Sequence, residues 1–292
     1  MLRQHSLCDF STSESWVILS PIEQSIKRKI EAVGTPLKDW DINIYRGVLT
    51  GCNEAFIITT EKRNEILANC QTEEERERTG NIIRPIIRGR DIKRYGYEWA
   101  DLWLIATFPS RHYDIEEYPA VKTYLLSFGI ERLEQTGKKY VINGEEVKAR
   151  KKTNNKWFET QDSINYWQDF LKPKIIWKRV GSILRFGYND NGALGLDSTC
   201  FATGKQIEYL CCVLNSPMGH YLLKDSPKTG TGDLLISVQA VEPIKVPLIN
   251  EEENSKFKNL FKTHQENEIN REVYELYNLS EEEIKFIMDN YY

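Results

Sequence analysis

The sequence predicts a mixed α/β fold, because β-rich runs and amphipathic helical stretches alternate along the chain without a regular repeat. The 292 residues are 40% hydrophobic and 28% charged, which is enough apolar material to bury a sizeable core. Seven Trp, 15 Tyr and 11 Phe supply large side chains for that core. We therefore expect one large globular domain or two small ones.

The first elements are predicted from capping residues and β-rich runs. Ser20 is suited to cap a helix that has Pro21 at its first position and stops at Gly34. Residues 42–49 and 55–60 predict two strands joined by a polar turn. Residues 61–80 are polar and helix-prone, and we expect one helix that ends at Gly80.

The later elements continue this alternation. An apolar strand is predicted near residues 99–108 and a helix over 118–137, and Asn143-Gly144 is typical of a tight β-hairpin. Further strands are expected within residues 172–181, 183–190, 198–204 and 235–249, with a helix over 207–223. A capping box formed by Ser280 and Glu283 predicts the last helix.

Charge is segregated along the chain, whose formal net charge is −4. Residues 251–292 contain 11 acidic and five basic residues, so the first 250 residues are net positive. This division predicts a polyanion-facing surface joined to a solvated helical tail. We expect three parts: an N-terminal linker and helix over residues 1–35, a main domain over 36–250 and a C-terminal helical segment over 251–292.

Several common chemistries lack their sequence motifs. The chain contains no G-x-x-x-x-G-K-[ST], H-E-x-x-H or G-x-S-x-G pattern, and it lacks the Gly-rich loop and Pro-Pro-aromatic tetrapeptide of amino-methyltransferases. Its six Cys and four His show no zinc-ligand spacing, so we expect reduced thiols and no metal site. No 18-residue apolar run or cleavable signal occurs, which predicts a cytoplasmic protein without membrane association.

A magnesium-dependent nuclease stays open as an alternative. Its signature is an acidic residue followed by an acid-x-Lys tripeptide that binds the metal and polarises the attacking water. Three tripeptides fit this pattern: Asp91-Ile92-Lys93, Glu146-Val147-Lys148 and Glu283-Ile284-Lys285. Such tripeptides also occur by chance in a charged chain.

Two basic clusters are the strongest functional signal. The first lies in "RPIIRGRDIKRY" (residues 84–95), where Gly89 permits a close approach of the backbone to phosphate. Its cations are Arg84, Arg88, Arg90, Lys93 and Arg94. The second lies on the predicted hairpin and the polar loop after it, within residues 138–156, where Asn side chains suit adenine edges.

Structural explanations stand beside these functional ones. Arg90 and Asp91 can equally be partners in an ion-pair network, and the lysines of the second cluster can be a solvated face. Trp157, Trp167 and Trp177 fit core positions better than base-stacking positions.

Six segments in order carry a resemblance to a known family. They are "RGVLTGCNEAFII" (46–58), "IIRPIIRGRDIKRY" (82–95), "NKWFE" (155–159), "LKPKIIWKRVG" (171–181), "YLCCVLNSPMGHYLL" (209–223) and "IKVPLI" (244–249). With the tail "VYELYNLSEEEIKFI", they resemble the TaqI-like C-terminal specificity domain over about residues 16–290. That domain is the target recognition domain of type IIG restriction-modification enzymes and related adenine-specific DNA methyltransferases.

The resemblance implies twisted mixed sheets with inserted loops, similar to the recognition domains of type I specificity subunits. It implies sequence-specific binding of double-stranded DNA, with the chemistry in an upstream methyltransferase or nuclease domain of the same polypeptide. Met1 would then begin a fragment that is not an enzyme and needs no cofactor. The parent enzyme would use S-adenosylmethionine, with Mg²⁺ as a second candidate.

The shared motifs are expected to shape the domain and to touch phosphates or the catalytic partner, as in the family's "TG-x-N-x-AF" loop and "RGRD" turn. This backbone and framework set is Arg46, Thr50, Gly51, Asn53, Arg84, Arg88, Arg90, Lys93, Arg94, Lys174, Lys178 and Arg179. A motif shared by enzymes with different targets cannot specify one target, so specificity is expected between Trp103 and Lys172. The candidate base-reading residues are Lys148, Arg150, Lys151, Lys152, Asn154, Asn155 and Lys156.

A third alternative is a protein-interaction module whose acidic tail docks a catalytic or translocating subunit.

Overall fold

The computed structural model describes residues 19–292, so His5, Cys8 and the first part of the predicted linker lie outside the described residues. Twelve α-helices occur within residues 19–292: α1 (Pro21–Val33), α2 (Asn53–Phe56), α3 (Thr60–Ala68), α4 (Glu73–Ile82), α5 (Pro119–Leu126), α6 (Ile130–Leu133), α7 (Ile207–Asn215), α8 (Pro217–Leu222), α9 (Val238–Val241), α10 (Glu251–Lys262), α11 (Glu266–Leu276) and α12 (Glu281–Tyr291). None of these helices has the apolar length that crossing a bilayer requires.

Short strands are interspersed with the helices, which confirms the predicted mixed α/β class. The strands within the same residues are β1 (Gly34–Pro36), β2 (Ile42–Arg46), β3 (Ile57–Thr59), β4 (Ile83–Ile87), β5 (Leu102–Ile105), β6 (Lys139–Ile142), β7 (Glu145–Lys148), β8 (Lys174–Lys178), β9 (Val180–Gly181), β10 (Phe186–Asn189), β11 (Leu194–Gly195), β12 (Thr199–Gly204), β13 (Leu234–Leu235) and β14 (Lys245–Pro247).

The described chain divides into two compact units. The central unit comprises residues 43–207, and the terminal unit combines residues 19–42 with residues 208–292. These limits differ from the predicted boundaries after residues 35 and 250. The reason is that β1 pairs antiparallel with β14, which brings the segment before residue 250 to the N-terminal helix.

The terminal unit is mainly helical and is organised by its helix caps. Ser20 and Glu23 form a reciprocal capping box at α1, and Ser280 and Glu283 form another at α12, as predicted. The Glu283 carboxylate also accepts hydrogen bonds of 2.7 Å from Ser25 Oγ and Lys29 Nζ, so one side chain caps α12 and joins it to α1.

The central unit contains two four-stranded sheets and a hairpin. One sheet has the order β10-β8-β12-β2, with β8 antiparallel to both β10 and β12. The other has the order β11-β4-β5-β3, in which only the β11–β4 pair is parallel among the strand pairs described. Phe170 and Phe201, whose ring centroids are 4.3 Å apart, lie in a shared core with Ile86, Leu104 and Ile176.

Three local predictions need correction. Ala55 and Phe56 lie in the helical turn α2, not in a strand, and both are fully buried, whereas a strand would point them to opposite faces. Residues 61–80 form parts of two helices, α3 and α4, and Gly80 lies inside α4. Residues 235–249 form the end of β13, the short helix α9 and β14, where one strand was expected.

Gly47 marks the point where the chain passes from one sheet of the central unit to the other. Its N–H donates to Thr199 O at the start of β12, and the next N–H, of Val48, donates to Gly195 O at the end of β11. A Cβ atom on Gly47 would lie 2.0 Å from Leu196 O and 2.6 Å from Gly195 O. Only glycine therefore allows this close approach of two backbones.

We expect Gly47→Ala to lower the free energy of unfolding by about 2 kcal/mol or more, because the backbone at Gly195 and Leu196 would have to move. Urea denaturation followed by Trp fluorescence measures this. Gly80→Ala is the matched control, since a Cβ there meets no atom within 4 Å. In its helical setting it should be neutral or stabilise by up to about 1 kcal/mol. Equal effects of the two substitutions would contradict this role of Gly47.

Candidate nucleic-acid interface

The "RGRD" motif forms a short 3₁₀ turn, Gly89–Asp91, directly after β4. Both carboxylate oxygens of Asp91 are bound by Arg88: Nε and the main-chain N–H donate to Oδ2 at 2.9 Å, and Nη2 donates to Oδ1 at 2.7 Å. Burial acts to raise the pKa of Asp91, but the hydrogen bonds from Arg88 outweigh it and hold the pKa below its usual value. Arg88 is therefore a framework residue that locks the turn, and its guanidinium is the hydrogen-bond partner of the Asp91 carboxylate, to which the charge of Arg90 adds a weaker attraction.

A small basic cleft lies beside this turn. It has a volume of about 180 Å³ and is lined by Gly89, Arg90, Ile92, Lys178, Gly181, Ser182, Ile183 and Arg185. We call this group the basic cleft. The side chains of Arg90, Lys178 and Arg185 are exposed, no carboxylate lines the cleft, and none of the three forms an ion pair within residues 19–292. Unneutralised cations around a recess are suited to binding phosphate.

The cleft joins two motifs that are far apart in the sequence. Arg90 comes from the "RGRD" turn and Lys178 from the end of β8. Gly89 allows the Lys178 side chain to lie against the turn, because a Cβ on Gly89 would lie 2.8 Å from Lys178 Cγ. Arg185, which precedes β10, was not predicted as a site residue. The sequence signal that could have identified Arg185 as a site residue is its position just before an aromatic strand, a few residues after the glycine of "KRVG".

Other members of the predicted backbone and framework set have neighbours within the protein. Arg179 is half-buried, and its main-chain N–H donates to Ser198 O. Three more have intramolecular partners: Arg46 contacts the Asp197 carboxylate at 3.2 Å, Lys93 contacts the Glu98 carboxylate at 3.2 Å, and the Arg94 guanidinium lies 5.8 Å from the Tyr95 ring centroid. Arg84 lines a different cavity of the central unit.

Lys174 belongs to the predicted backbone and framework set, and its completely buried side chain leaves it the framework role and excludes contact with phosphate. Its Nζ donates to Phe170 O at 2.6 Å and to Asn189 Oδ1 at 2.7 Å. Burial, together with the nearby charge of Arg84, lowers the pKa of Lys174 to about 7. Lys174 is an interior donor that holds strands β8 and β10 to the preceding turn.

The "TG-x-N" loop is also structural. Thr50 is fully buried, its Oγ1 donates to Asn53 Oδ1 at 2.6 Å and it accepts from the Cys52 N–H at 3.1 Å. Gly51 has a φ of +77°, and a Cβ there would lie 2.3 Å from Gln161 Oε1. Thr50 therefore cannot touch phosphate, and the loop instead supports the second basic cluster.

Arg150 corrects the predicted set of base readers. Its side chain is only 4% exposed, and its guanidinium donates to four main-chain oxygens: Leu133 O at 2.7 Å, Thr50 O at 2.9 Å, Glu159 O at 2.7 Å and Trp157 O at 2.6 Å. Burial lowers the pKa of Arg150 to about 10. A guanidinium used in this way cannot reach a base edge. Arg150 is instead the anchor of the loop that follows it, residues 151–161, which we call the Arg150 loop.

Two amide side chains, of Gln135 and Asn155, hold the loop that follows Arg150. Gln135 Nε2 donates to Lys156 O and Glu159 O, both at 3.1 Å, and Asn155 Nδ2 donates to Gln161 O at 2.9 Å. The Asn155 amide therefore shapes the loop. The exposed candidates that remain are Lys148, Lys151, Lys152, Asn154 and Lys156.

The predicted hairpin is confirmed as β6–β7. Asn143 and Gly144 at its turn have φ values of +54° and +86°, the left-handed pair that a two-residue type I′ turn requires. Lys139 and Glu146 form an ion pair of 2.8 Å across the strands, and Val141 on β6 is 78% exposed. The hairpin is thus a projecting arm with mixed charge.

The acidic residue of each acid-x-Lys tripeptide has a basic partner within its own unit. Asp91 is bound by Arg88, Glu146 pairs with Lys139, and Glu283 caps α12 and pairs with Lys29. Within residues 19–292, no group of three or more His, Cys, Asp or Glu side chains is arranged to hold a metal ion. Each carboxylate has a structural role that the nuclease alternative does not explain.

We expect Arg150→Met to lower the free energy of unfolding by about 3 kcal/mol or more, because the carbonyl oxygens of Leu133, Thr50 and Trp157 lose their donor and Glu159 O loses one of two. Urea denaturation gives the magnitude, and hydrogen exchange of residues 149–161 should rise. Lys151→Met, at the exposed neighbouring position, should change stability by no more than about 0.5 kcal/mol. Similar values for both variants would exclude the anchoring role.

Lys174 makes a pH-dependent prediction. Its pKa is about 7 in the folded chain and near the usual 10.5 when unfolded, so between these values the unfolded chain binds more protons. The free energy of unfolding of the wild type should therefore rise with pH. Measured relative to the Lys174→Met variant, the rise should be up to about 1.4 kcal/mol per pH unit. Urea denaturation of both proteins from about pH 6 to about pH 9 tests this. Parallel pH profiles would show that Lys174 titrates normally.

Two solved structures of restriction enzymes are similar to this chain. By structure, the chain is similar to the type IIL restriction-modification enzyme MmeI in complex with DNA, with a TM-score of 0.55 and 11% identity over 89% of this chain and 36% of that one. It is also similar to the type IIG restriction endonuclease BpuSI, with a TM-score of 0.46 and 11% identity over 82% of this chain and 27% of that one. The chain thus spans about a third or less of either structure. A comparison with curated protein sequences found no match.

The family assignment comes from the sequence. A family model of the TaqI-like C-terminal specificity domain matches residues 84–238, just over half of the chain. The matched range contains the "RGRD" turn, the cleft, the Arg150 loop and the hairpin, and the likeness to MmeI agrees with it in fold. This chain therefore belongs to the family of TaqI-like C-terminal specificity domains of restriction-modification enzymes.

Proposed function

We propose that this chain is a DNA target recognition domain, which binds double-stranded DNA in a sequence-specific way while the chemistry takes place in another domain. The observation that carries the proposal is the basic cleft. Two motifs of the family, the "RGRD" turn and the end of β8, place Arg90 and Lys178 beside Arg185 without any carboxylate among the lining residues. Such a recess suits a DNA phosphate and fixes the register of the duplex.

Base reading falls to the loop anchored by Arg150. Its exposed side chains offer ammonium groups, which donate to guanine O6 and N7, and the Asn154 amide, which can pair with adenine N6 and N7. The loop is held by main-chain contacts, so these side chains have a rigid base. Preorganised donors of this kind favour discrimination between bases.

The parent protein is proposed to be a type IIG enzyme with an N6-adenine methyltransferase domain upstream, which would use S-adenosylmethionine and, for cleavage, Mg²⁺. Family membership and the short share of MmeI that the chain covers support this, because MmeI contains other regions beyond the similar one. The chain itself would hold no cofactor and would act in the cytoplasm, where the DNA lies.

Duplex binding can be measured by fluorescence anisotropy with a labelled duplex at several salt concentrations. The wild type should show log affinity falling with log salt. The triple variant Arg90→Gln, Lys178→Gln, Arg185→Gln should bind more weakly, and its slope should be smaller by about one for each phosphate that it no longer neutralises. The matched control Lys27→Gln, Arg76→Gln, Arg271→Gln changes the charge equally at exposed ion pairs, and should keep most of the slope.

Two outcomes would contradict the proposal. If the wild type does not bind the duplex at low salt, the proposal that this chain binds DNA is wrong. If the two triple variants lose affinity equally, only the net charge of the chain matters for binding and the basic cleft does not. Selection of bound duplexes from a random library then tests specificity. If no sequence is enriched, the chain binds DNA without reading it.

A further inference from the structure

A second cavity in the central unit shares no lining residue with the basic cleft. It has a volume of about 400 Å³, within the range of small-molecule sites. It lies where the end of α4, strand β4 and the segment after β5 meet. Its lining residues are Arg78, Asn81, Ile82, Arg84, Ala106, Phe108, Arg111, Tyr113, Tyr118, Trp167, Leu171 and Leu194. We call it the arginine pocket.

Three of the polar side chains that line this pocket are cationic, and none is acidic. Arg78, Arg84 and Arg111 line it from three different elements, and no acidic side chain is among the lining residues. None of the three guanidinium groups forms an ion pair within residues 19–292, and Arg84 Nε is buried without a hydrogen-bond partner there. Three guanidinium groups that line one pocket without a carboxylate favour an anion with several oxygens, such as a phosphate.

The remaining surface is aromatic and apolar. The Arg111 guanidinium lies 3.9 Å from the ring centroid of Trp167, in a stacking arrangement. Tyr113 and Tyr118 pack edge to face, with centroids 5.7 Å apart, and burial raises the pKa of both phenols. A bare inorganic anion gains nothing from such walls, whereas a planar ring does.

One polar side chain could read the edge of such a ring. Asn81, at the end of α4, lines the pocket and carries the donor and acceptor pair that matches the edge of a purine or pyrimidine. Guanidinium groups, aromatic walls and a carboxamide are together the groups that bind a nucleotide by its phosphate, its ring face and its ring edge.

We infer that the arginine pocket binds a single nucleotide. This goes beyond the binding of a duplex by the basic cleft, and it does not depend on it. The nucleotide can come from two sources that share this chemistry: an unpaired nucleotide of a DNA strand, or a free nucleotide.

Isothermal titration calorimetry on the full chain tests the inference with three probes: dAMP, deoxyadenosine and inorganic phosphate. We expect dAMP to bind at least about tenfold more tightly than either of the others, because only dAMP engages both the cations and the aromatic walls. Absence of dAMP binding at millimolar concentration, or phosphate binding as tight as that of dAMP, would overturn the inference.

Substitutions in the arginine pocket test whether dAMP binds there. Arg78→Gln with Arg111→Gln, and separately Trp167→Leu, should each weaken dAMP binding by about tenfold or more. Arg76→Gln is the matched control, because Arg76 lies on the same helix as Arg78 and is half exposed but does not line the pocket. Circular dichroism confirms that each variant is folded. Unchanged dAMP affinity in the Arg78/Arg111 variant would place the binding elsewhere and refute the assignment.

Fluorescence anisotropy distinguishes the two sources of the nucleotide. It compares two labelled duplexes, one fully paired and one with a single unpaired nucleotide. A preference for the second duplex that disappears in the Arg78/Arg111 variant assigns the pocket to a nucleotide of DNA. Binding of dAMP without such a preference assigns it to a free nucleotide. Failure of duplex binding altogether would affect the basic cleft and leave the dAMP result to stand alone.

Discussion

The arrangement of the proposed interface depends on one buried cation, Arg150. Its guanidinium is satisfied by four main-chain oxygens from three segments. Leaving any of those oxygens without a donor would be costly in a buried setting. The contact therefore fixes the "TG-x-N" loop around Thr50, the end of α6 at Leu133 and the turn near Trp157 in one geometry.

The central unit also shows how cations of one sequence cluster separate into different roles. Within residues 84–95, Arg88 turns inward to Asp91, Lys93 pairs with Glu98 and Arg90 faces the cleft. Lys174 and Lys178 lie on the same strand, four residues apart, yet one is completely buried and the other exposed. Charge in a sequence thus indicates a polyanion-binding region but not which side chains reach the ligand.

Local features of the sequence predicted local structure well. The caps at Ser20 and Ser280 and the Asn143-Gly144 turn depend on neighbours in the chain, and all three are as predicted. The burial of Lys174 and the approach of Arg185 to Arg90 depend on pairing between distant strands, for which no local pattern exists. The mixed α/β class was predictable because alternation of patterns suffices for it, whereas the pairing of β1 with β14, which joins distant parts of the chain, leaves no local pattern.

The main-chain character of the Arg150 contacts has a consequence for how specificity can change. A carbonyl oxygen is the same whatever residue carries it, so the anchor does not constrain which side chains stand at residues 151–156. Exposed positions in that loop can be exchanged without a compensating change in the core. A recognition loop built in this way can diverge rapidly between related proteins, or accept grafted sequences of equal length, while the domain beneath it keeps its shape.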